Sequence, residues 1–167
     1  MAIPFRGHTG QSTYFITAST FLKQHLLQSE PTAQLFIDVL YHYRSQGKYL
    51  LHEFVVMPDH FHLLITPRPQ VTLERAMQFI KGGYSFRVKK ELGLVGERWQ
   101  PSFHDRRVRN ADEYQRFRTY IHENPVRRGL VKVAHHYPYS SANPRFHLDE
   151  VPQRLKPVAS GAASMQA

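Results

Sequence analysis

Residues 49–66, YLLHEFVVMPDHFHLLIT, decide the fold. Tyr49 to Val56 predicts a strand whose later residues are apolar on both faces. Met57-Pro58-Asp59 has the composition of a turn, and Phe61 to Thr66 predicts the next strand. We therefore expect a β-hairpin, with His60-Phe61-His62 at the start of its second arm.

The flanking sequence predicts an α+β domain around this hairpin. Upstream, Tyr14 to Ser19 is β-branched and aromatic, and Ala33 to Arg44 has apolar residues at helical spacing. Downstream, the sequence predicts a second helix, a short strand and a third helix over Leu73 to Val88, Arg106–Arg109 and Ala111 to Asn124. Pro125 is expected to end the third helix nearby. The first six elements match the split β-α-β sheet of ferredoxin-like folds, with an additional C-terminal helix, and one sheet face is left available for a site.

Length and composition restrict the class of protein. The 167 residues suit one domain, which we expect over residues 1–145, followed by a flexible tail over residues 146–167 that shows no periodicity. The absence of Cys excludes disulfide scaffolds and thiol catalysis. The sequence has no apolar run of about 18 residues and begins without the apolar core of a signal peptide, so we expect a cytoplasmic protein without a membrane span.

The charge is strongly positive and unevenly distributed. The chain has 22 Lys and Arg against 13 Asp and Glu, a formal net charge of +9. Twelve basic and six acidic residues lie between Lys81 and Arg128, interleaved with aromatic residues. Arg side chains suit phosphate and aromatic rings can stack on unpaired bases, which indicates a nucleic-acid partner. The alternative is a solvated helix face beside a core tryptophan.

Two pairs of residues could carry chemistry. His60 and His62 are at positions i and i+2 of a strand, so both imidazoles project from one face, as two ligands of a divalent cation would. Tyr120 and Asn124 lie one above the other on the third helix, at the edge of its buried face. The alternative is that the His pair is incidental among 11 His, that Tyr120 only packs, and that Asn124 caps the helix. His122 points almost opposite to Tyr120 and is excluded as a ligand.

Together these residues suggest phosphoryl transfer. The Tyr120 hydroxyl would attack a backbone phosphate, while a cation on His60, His62 and Asn124 would offset the negative charge of the transition state. A phosphotyrosine ester conserves the energy of the broken bond, so the strands could be rejoined without ATP. The residues therefore favour strand transfer over digestion.

Longer motifs resemble a known family. Residues 54–65, FVVMPDHFHLLI, resemble the metal-binding strand of HUH-type single-strand transposases, in which U is a bulky apolar residue. Residues 120–131, YIHENPVRRGLV, resemble the nucleophile helix of one subgroup, the REP-associated tyrosine transposases. Residues 99–107 and 137–142 also look like that subgroup, and the match covers about residues 13–145 in order. Asp59 stands where the subgroup usually has Asn, and we expect it to touch neither ligand.

The resemblance implies a transposase that nicks and transfers single-stranded DNA. Such proteins have a ferredoxin-like fold, cleave beside a hairpin formed by short palindromic repeats of bacterial genomes, and form a 5′-phosphotyrosine link. They use Mg²⁺ or Mn²⁺. The resemblance carries over Tyr120 as nucleophile, His60 and His62 as metal ligands, and Asn124 as the third ligand, where relatives often have Gln. It also implies a bacterial, nucleoid-associated location and a monomer, with a dimer as the alternative.

Charge and aromatic character select the DNA-contacting candidates, which are Arg98, Trp99, Arg106, Arg107 and Arg127. For Trp99 the alternative is a place in the core. Two other function classes remain open. A domesticated, non-catalytic nucleic-acid-binding regulator would share the fold and charge, and a replication-initiation nickase would share the site but usually has a larger chain.

Overall fold

The computed structural model describes residues 11–158. Its strands are β1 (Tyr14–Ser19), β2 (Tyr49–Met57), β3 (His60–Pro67) and β4 (His104–Arg107), and its helices are α1 (Glu30–Ser45), α2 (Leu73–Leu92) and α3 (Ala111–Arg127). Single 3-10 turns cover Phe21–Lys23, Ala134–His136 and Gln153–Leu155. The strands form one antiparallel sheet in the order β2-β3-β1-β4. This arrangement confirms the predicted α+β fold with a split β-α-β sheet and an additional helix after it.

The central strand β3 gives the sheet two different faces. Phe61, Leu63 and Ile65 lie in the larger apolar core, together with buried residues of α1 and α2. The alternate residue Leu64 belongs to a smaller cluster that includes Tyr114 and Ile121 of α3. Side chains of successive strand residues point to opposite faces, so α1 and α2 cover one face and α3 packs on the other.

The two long helices of the larger core are capped and closely packed. Ser29 and Thr72 precede α1 and α2, and each side-chain oxygen accepts a hydrogen bond from a backbone N–H of the first turn. The pair Gly82-Gly83 lies inside α2 without interrupting it. A Cβ at Gly83 would lie 2.7 Å from the Tyr43 ring of α1, so this glycine permits the close approach of the two helices.

Helix α3 continues past the point where the sequence predicts its end. Pro125 lies inside the helix, which ends at Arg127 rather than near Asn124. Proline removes one intrahelical N–H donor, but the backbone bonds from Arg128 N–H to Asn124 O and from Leu130 N–H to Pro125 O are still made. The loss of a single donor so near the C-terminus is therefore tolerated.

The segment after α3 packs along the edge of β2 and extends into residues 146–167, for which the sequence predicts a flexible tail. The backbone N–H groups of Ser141 and Asp149 donate to Phe54 O and Leu51 O, both at 2.9 Å. The Asp149 carboxylate also accepts two hydrogen bonds from Arg44 at 2.8 Å each. Leu155 is fully buried in the cluster beneath α3. Residues 146–158 are thus held to the domain, and residues 159–167 lie outside the described part of the chain.

Among residues 11–158, none of the helices has an apolar stretch of the length that a bilayer span requires.

Leu155→Ala tests whether this segment is docked in solution. Removing a fully buried leucine side chain is expected to lower the free energy of unfolding by about 2–5 kcal/mol, as measured by urea denaturation. Val158, which is 92% exposed and only three residues away, supplies the control, and Val158→Ala should leave the denaturation midpoint unchanged. Equal midpoints for the two variants would show that the segment is a loose tail after all.

Candidate active site

The two histidines of β3 lie together on the sheet face that α3 covers. His60 pairs with Ser19 of β1 and Met57 of β2, and His62 pairs with Thr17 and Val55. The two imidazole ring centroids are 4.8 Å apart. Both side chains are almost fully buried. The i, i+2 spacing therefore brings the imidazoles to one place, as the sequence predicts.

Each imidazole is oriented by a hydrogen bond on its Nδ1 atom. His60 Nδ1 lies 2.7 Å from Asp59 Oδ1, and His62 Nδ1 lies 2.9 Å from Thr17 Oγ1. This leaves the Nε2 atoms for other partners, and His62 Nε2 is buried without a hydrogen bond. The expectation that Asp59 touches neither ligand is wrong, because the short turn brings its carboxylate back onto the neighbouring imidazole.

Burial keeps both imidazoles neutral. It lowers the pKa of His60 below its ordinary value, against the opposing effect of the hydrogen bond with Asp59. Burial, with a smaller contribution from His60, lowers the pKa of His62 to about 3. The contact between His60 and Asp59 is therefore a hydrogen bond rather than an ion pair at neutral pH. A neutral imidazole retains the lone pair that binds a cation.

Tyr120 of α3 lies directly beside this pair. Its ring is edge-on to the His62 ring, with centroids 5.2 Å apart, and edge-on to Phe15 at 5.9 Å. Phe15 also stacks on both His62 and Phe117, which fixes the ring environment between the sheet and α3. Tyr120 is nevertheless 40% exposed, so a substrate can reach the side chain.

Asn124 follows Tyr120 by one helical turn and is buried. Its Oδ1 atom has no hydrogen-bond partner, like His62 Nε2. Buried acceptors without donors are unfavourable in a folded protein, and a divalent cation can satisfy imidazole nitrogen and amide oxygen together. Residues 11–158 contain no cluster of three His, Cys, Asp or Glu that could hold a metal ion. An amide oxygen as third ligand fits both observations.

The sequence-based reasoning missed the residues that support this site. Thr17 and Asp59 orient the imidazoles, and only the pairing of β1 with β3 reveals the position of Thr17. His122, excluded as a ligand, indeed points elsewhere and is hydrogen-bonded to Glu53 of β2. A carboxylate between the apolar residues of a predicted buried strand is the signal that could have revealed this contact.

The five DNA-contacting candidates occupy different environments. Arg106, Arg107 and Arg127 are exposed, and the Arg127 guanidinium lies over the Tyr120 ring, 4.4 Å from its centroid. Arg106 pairs with Phe15 across the sheet, on the same face as His62. Arg98 is buried, which does not favour a DNA contact.

Trp99 is half-buried and packs against the core on the other side of the sheet. Its indole ring lies 5.4 Å from Phe61 and 5.5 Å from Tyr84, and its Nε1–H donates to Lys81 O at 3.0 Å. These contacts favour the core alternative over base stacking.

A groove on the outer side of α3 adds residues that charge alone did not select. It has a volume of about 520 Å³ and is open to solvent. Its lining residues are Gln115, Arg116, Thr119, Tyr120, Glu123 and Arg127. Two arginines, Arg116 and Arg127, therefore line an open groove together with Tyr120.

The single tryptophan makes its assignment testable. An unpaired oligonucleotide at saturating concentration is expected to leave the Trp99 emission nearly unchanged, because the indole stays packed on core aromatic rings. Binding is verified in the same cuvette from the anisotropy of a label on the oligonucleotide. Strong quenching of the emission on binding would instead show that Trp99 stacks on a base.

Comparison with known proteins identifies the family of this chain. The family model described as "Transposase IS200 like" matches residues 9–124. The REP-associated tyrosine transposase of Escherichia coli strain K12 is 31% identical over 109 residues, which cover 65% of this chain and 60% of that protein. A relative from Haemophilus influenzae is 24% identical over 161 residues, covering 86% and 85% of the two chains.

A solved structure supports the fold. The structure of a REP-associated tyrosine transposase bound to a REP hairpin superposes with a TM-score of 0.69, at 23% identity, and the match covers 96% of each chain. Since the family model covers well over half of the sequence, the chain belongs to the IS200-like transposase family.

Proposed function

We propose that this chain nicks and transfers single-stranded DNA beside hairpins formed by palindromic repeats, using Tyr120 as the nucleophile. The observation that carries the proposal is the contact between Tyr120 and His62, whose ring centroids lie 5.2 Å apart. A solvent-accessible tyrosine beside two neutral, oriented imidazoles suits covalent phosphoryl transfer, because an attacking hydroxyl needs activating groups close to it.

The covalent step conserves the number of phosphate ester bonds. The Tyr120 oxygen forms a bond to phosphorus as the bond between phosphorus and the 3′ oxygen breaks. The tyrosine hydroxyl loses its proton to solvent, and the departing 3′ oxygen takes one up to become a 3′-hydroxyl. The product is a 5′-phosphotyrosine link, and attack on it by another 3′-hydroxyl rejoins DNA and restores the tyrosine. No external energy source or oxidant is needed.

The residues present fit a divalent cation, Mg²⁺ or Mn²⁺. His60 and His62, through their Nε2 atoms, and Asn124, through Oδ1, would hold it. When bound, the cation would offset negative charge on the scissile phosphate. The protein's own contribution is to keep both imidazoles neutral by burial and to fix their orientation through Asp59 and Thr17.

The proposed DNA partner rests on charge and on the solved relative. That relative was determined with a REP hairpin bound. In the present chain Arg106, Arg107, Arg116 and Arg127 are basic candidates for phosphate contacts, and Arg127 packs on the nucleophile itself. We further propose that the protein acts as a monomer on the bacterial chromosome.

Tyr120→Phe should abolish the covalent product. The substrate is a DNA hairpin with single-stranded flanks, incubated with Mg²⁺ or Mn²⁺ and resolved on a denaturing gel. The parent protein is expected to give cleaved DNA and a slowly migrating protein–DNA adduct. The variant should give neither while binding the hairpin with similar affinity, because only the attacking oxygen is removed.

Tyr43→Phe is the matched control, because Tyr43 lies on α1, on the opposite side of the sheet. This variant should leave adduct formation unchanged. Cleavage by Tyr120→Phe at the parent rate would contradict the mechanism. Hairpin binding by the parent without cleavage under any metal would favour the non-catalytic regulator instead.

His62→Ala is expected to reduce cleavage to background and to leave most hairpin affinity intact. The reason is that His62 supplies a ligand atom but no charge to phosphate binding. Mn²⁺ affinity, measured on the DNA-free protein by electron paramagnetic resonance, should fall in the same variant. His42→Ala on α1 controls for loss of an unrelated imidazole. Full cleavage activity of the parent in excess chelator would contradict the dependence on a divalent cation.

A further inference from the structure

A β-bulge in β2 turns one carboxylate toward α3. Leu51 pairs with Ile65 but Glu53 pairs with Leu64, so two residues of β2, His52 and Glu53, stand opposite a single residue of β3. Beyond the bulge, Phe54 lies in the larger core and Val55 in the cluster beneath α3. Without the extra residue, Glu53 would face the apolar core of α1 and α2.

The bulge is itself fixed by hydrogen bonds. His52 Nε2 lies 2.8 Å from Thr66 Oγ1 on β3, and His52 Nδ1 lies 3.2 Å from Asp149 O in the segment that covers β2. Both ring nitrogens of the bulged residue are therefore engaged. The register that sends Glu53 toward α3 is held from two sides.

Glu53 is almost fully buried and contacts two residues of α3. Its Oε1 atom accepts a hydrogen bond from His122 Nε2–H at 2.5 Å. The same oxygen lies 3.4 Å from Arg118 Nε. Arg118 and His122 are four residues apart and so share one row along the helix. The carboxylate thus joins two successive turns of α3 to β2.

Such a contact does not by itself favour stability. Burying a carboxylate is costly, and an apolar side chain of similar size often packs a sheet against a helix at least as stably. A buried charge does, however, impose a specific geometry, since it is satisfied in only one rotation and one register of the helix. Sheet–helix packing by apolar residues would tolerate small rotations.

The row that contacts Glu53 lies across the helix from the nucleophile. His122 follows Tyr120 by two residues, about 200° around the helix at 3.6 residues per turn. His122 is held by the edge strand β2, while the Tyr120 ring meets His62 of β3 and Phe15 of β1. Fixing the His122 row therefore fixes the direction in which Tyr120 and Asn124 project.

We infer that Glu53 is a positioning residue: through His122 and Arg118 it sets the rotation of α3 and thereby holds Tyr120 and Asn124 against the histidine pair. The geometric part of this inference concerns the folded chain alone. Its catalytic consequence rests on the proposed function. Glu53 touches neither the scissile phosphate nor the two histidines in this scheme.

The decisive variant is Glu53→Leu, which fills the same space without a charge. We expect its thermal midpoint to equal or exceed that of the parent, while adduct formation at saturating hairpin falls on the order of 10- to 100-fold. Hairpin affinity should stay within a factor of about two, as expected for a substitution remote from phosphate contacts. Glu53→Gln retains an oxygen that can accept from His122 and should recover much of the lost rate.

A spectroscopic measurement tests the geometry without catalysis. The full chain is labelled with 3-fluorotyrosine, and the Tyr120 resonance is identified by its loss in Tyr120→Phe. In Glu53→Leu that resonance should shift or broaden, and in His122→Gln it should change in the same direction. Because His122 is partly exposed, its substitution should disturb folding less. The His122→Gln variant therefore still tests the orientation of α3 if Glu53→Leu folds poorly.

Glu91→Gln is the matched control. Glu91 is another carboxylate hydrogen-bonded to an arginine, Arg87, but both residues lie on α2, on the opposite face of the sheet from α3. It should leave both the Tyr120 resonance and the adduct rate unchanged.

The two proposals fail in distinguishable ways. An unchanged Tyr120 resonance together with a parental adduct rate in Glu53→Leu would overturn the positioning role. If the parent protein forms no adduct at all, the proposed function fails, and the fluorine spectra alone still decide whether Glu53 sets the orientation of α3.

Discussion

The two-residue alternation of β3 is the constraint from which the rest of the molecule follows. This strand is central and paired on both sides, and its successive side chains point to opposite faces of the sheet. Alternate residues must therefore suit two different layers. Phe61, Leu63 and Ile65 supply the core under α1 and α2. On the other face, beneath α3, the polar side chains of His62 and Thr66 are hydrogen-bonded to neighbouring strands. Two histidines can therefore be buried without weakening the main core, and the helix that covers them becomes part of the site.

Much of this architecture could be predicted from the sequence because it depends on short-range pattern. The hairpin over residues 49–66, the spacing of His60 and His62, and the position of Tyr120 one turn before Asn124 all follow from strand and helix periodicity. The longer motifs identified the family, which the comparison confirmed. The order of elements was enough to predict the sheet, since split β-α-β connections restrict the strand order.

The features that the sequence did not reveal depend on long-range contacts. Glu53 faces α3 only because of a bulge whose hydrogen bonds come from Thr66 and Asp149, far away along the chain. The docking of Leu155 has no periodic signal, because a coil that packs by one side chain has none. Trp99 resembles a base-stacking residue in sequence, and only its distances to Phe61 and Tyr84 show that it packs against the core.

The segment that covers the outer edge of β2 affects whether copies of the chain can associate through their sheets. It forms backbone hydrogen bonds with Phe54, Val56 and Leu51. It therefore occupies the backbone groups that an unpaired edge strand would offer to another polypeptide. The opposite margin, β4, has only four residues, and all four, His104 to Arg107, are ionisable. A short, charged margin and a covered one are two devices by which sheets resist strand addition. The fold therefore disfavours self-association into extended sheets through either edge of the sheet.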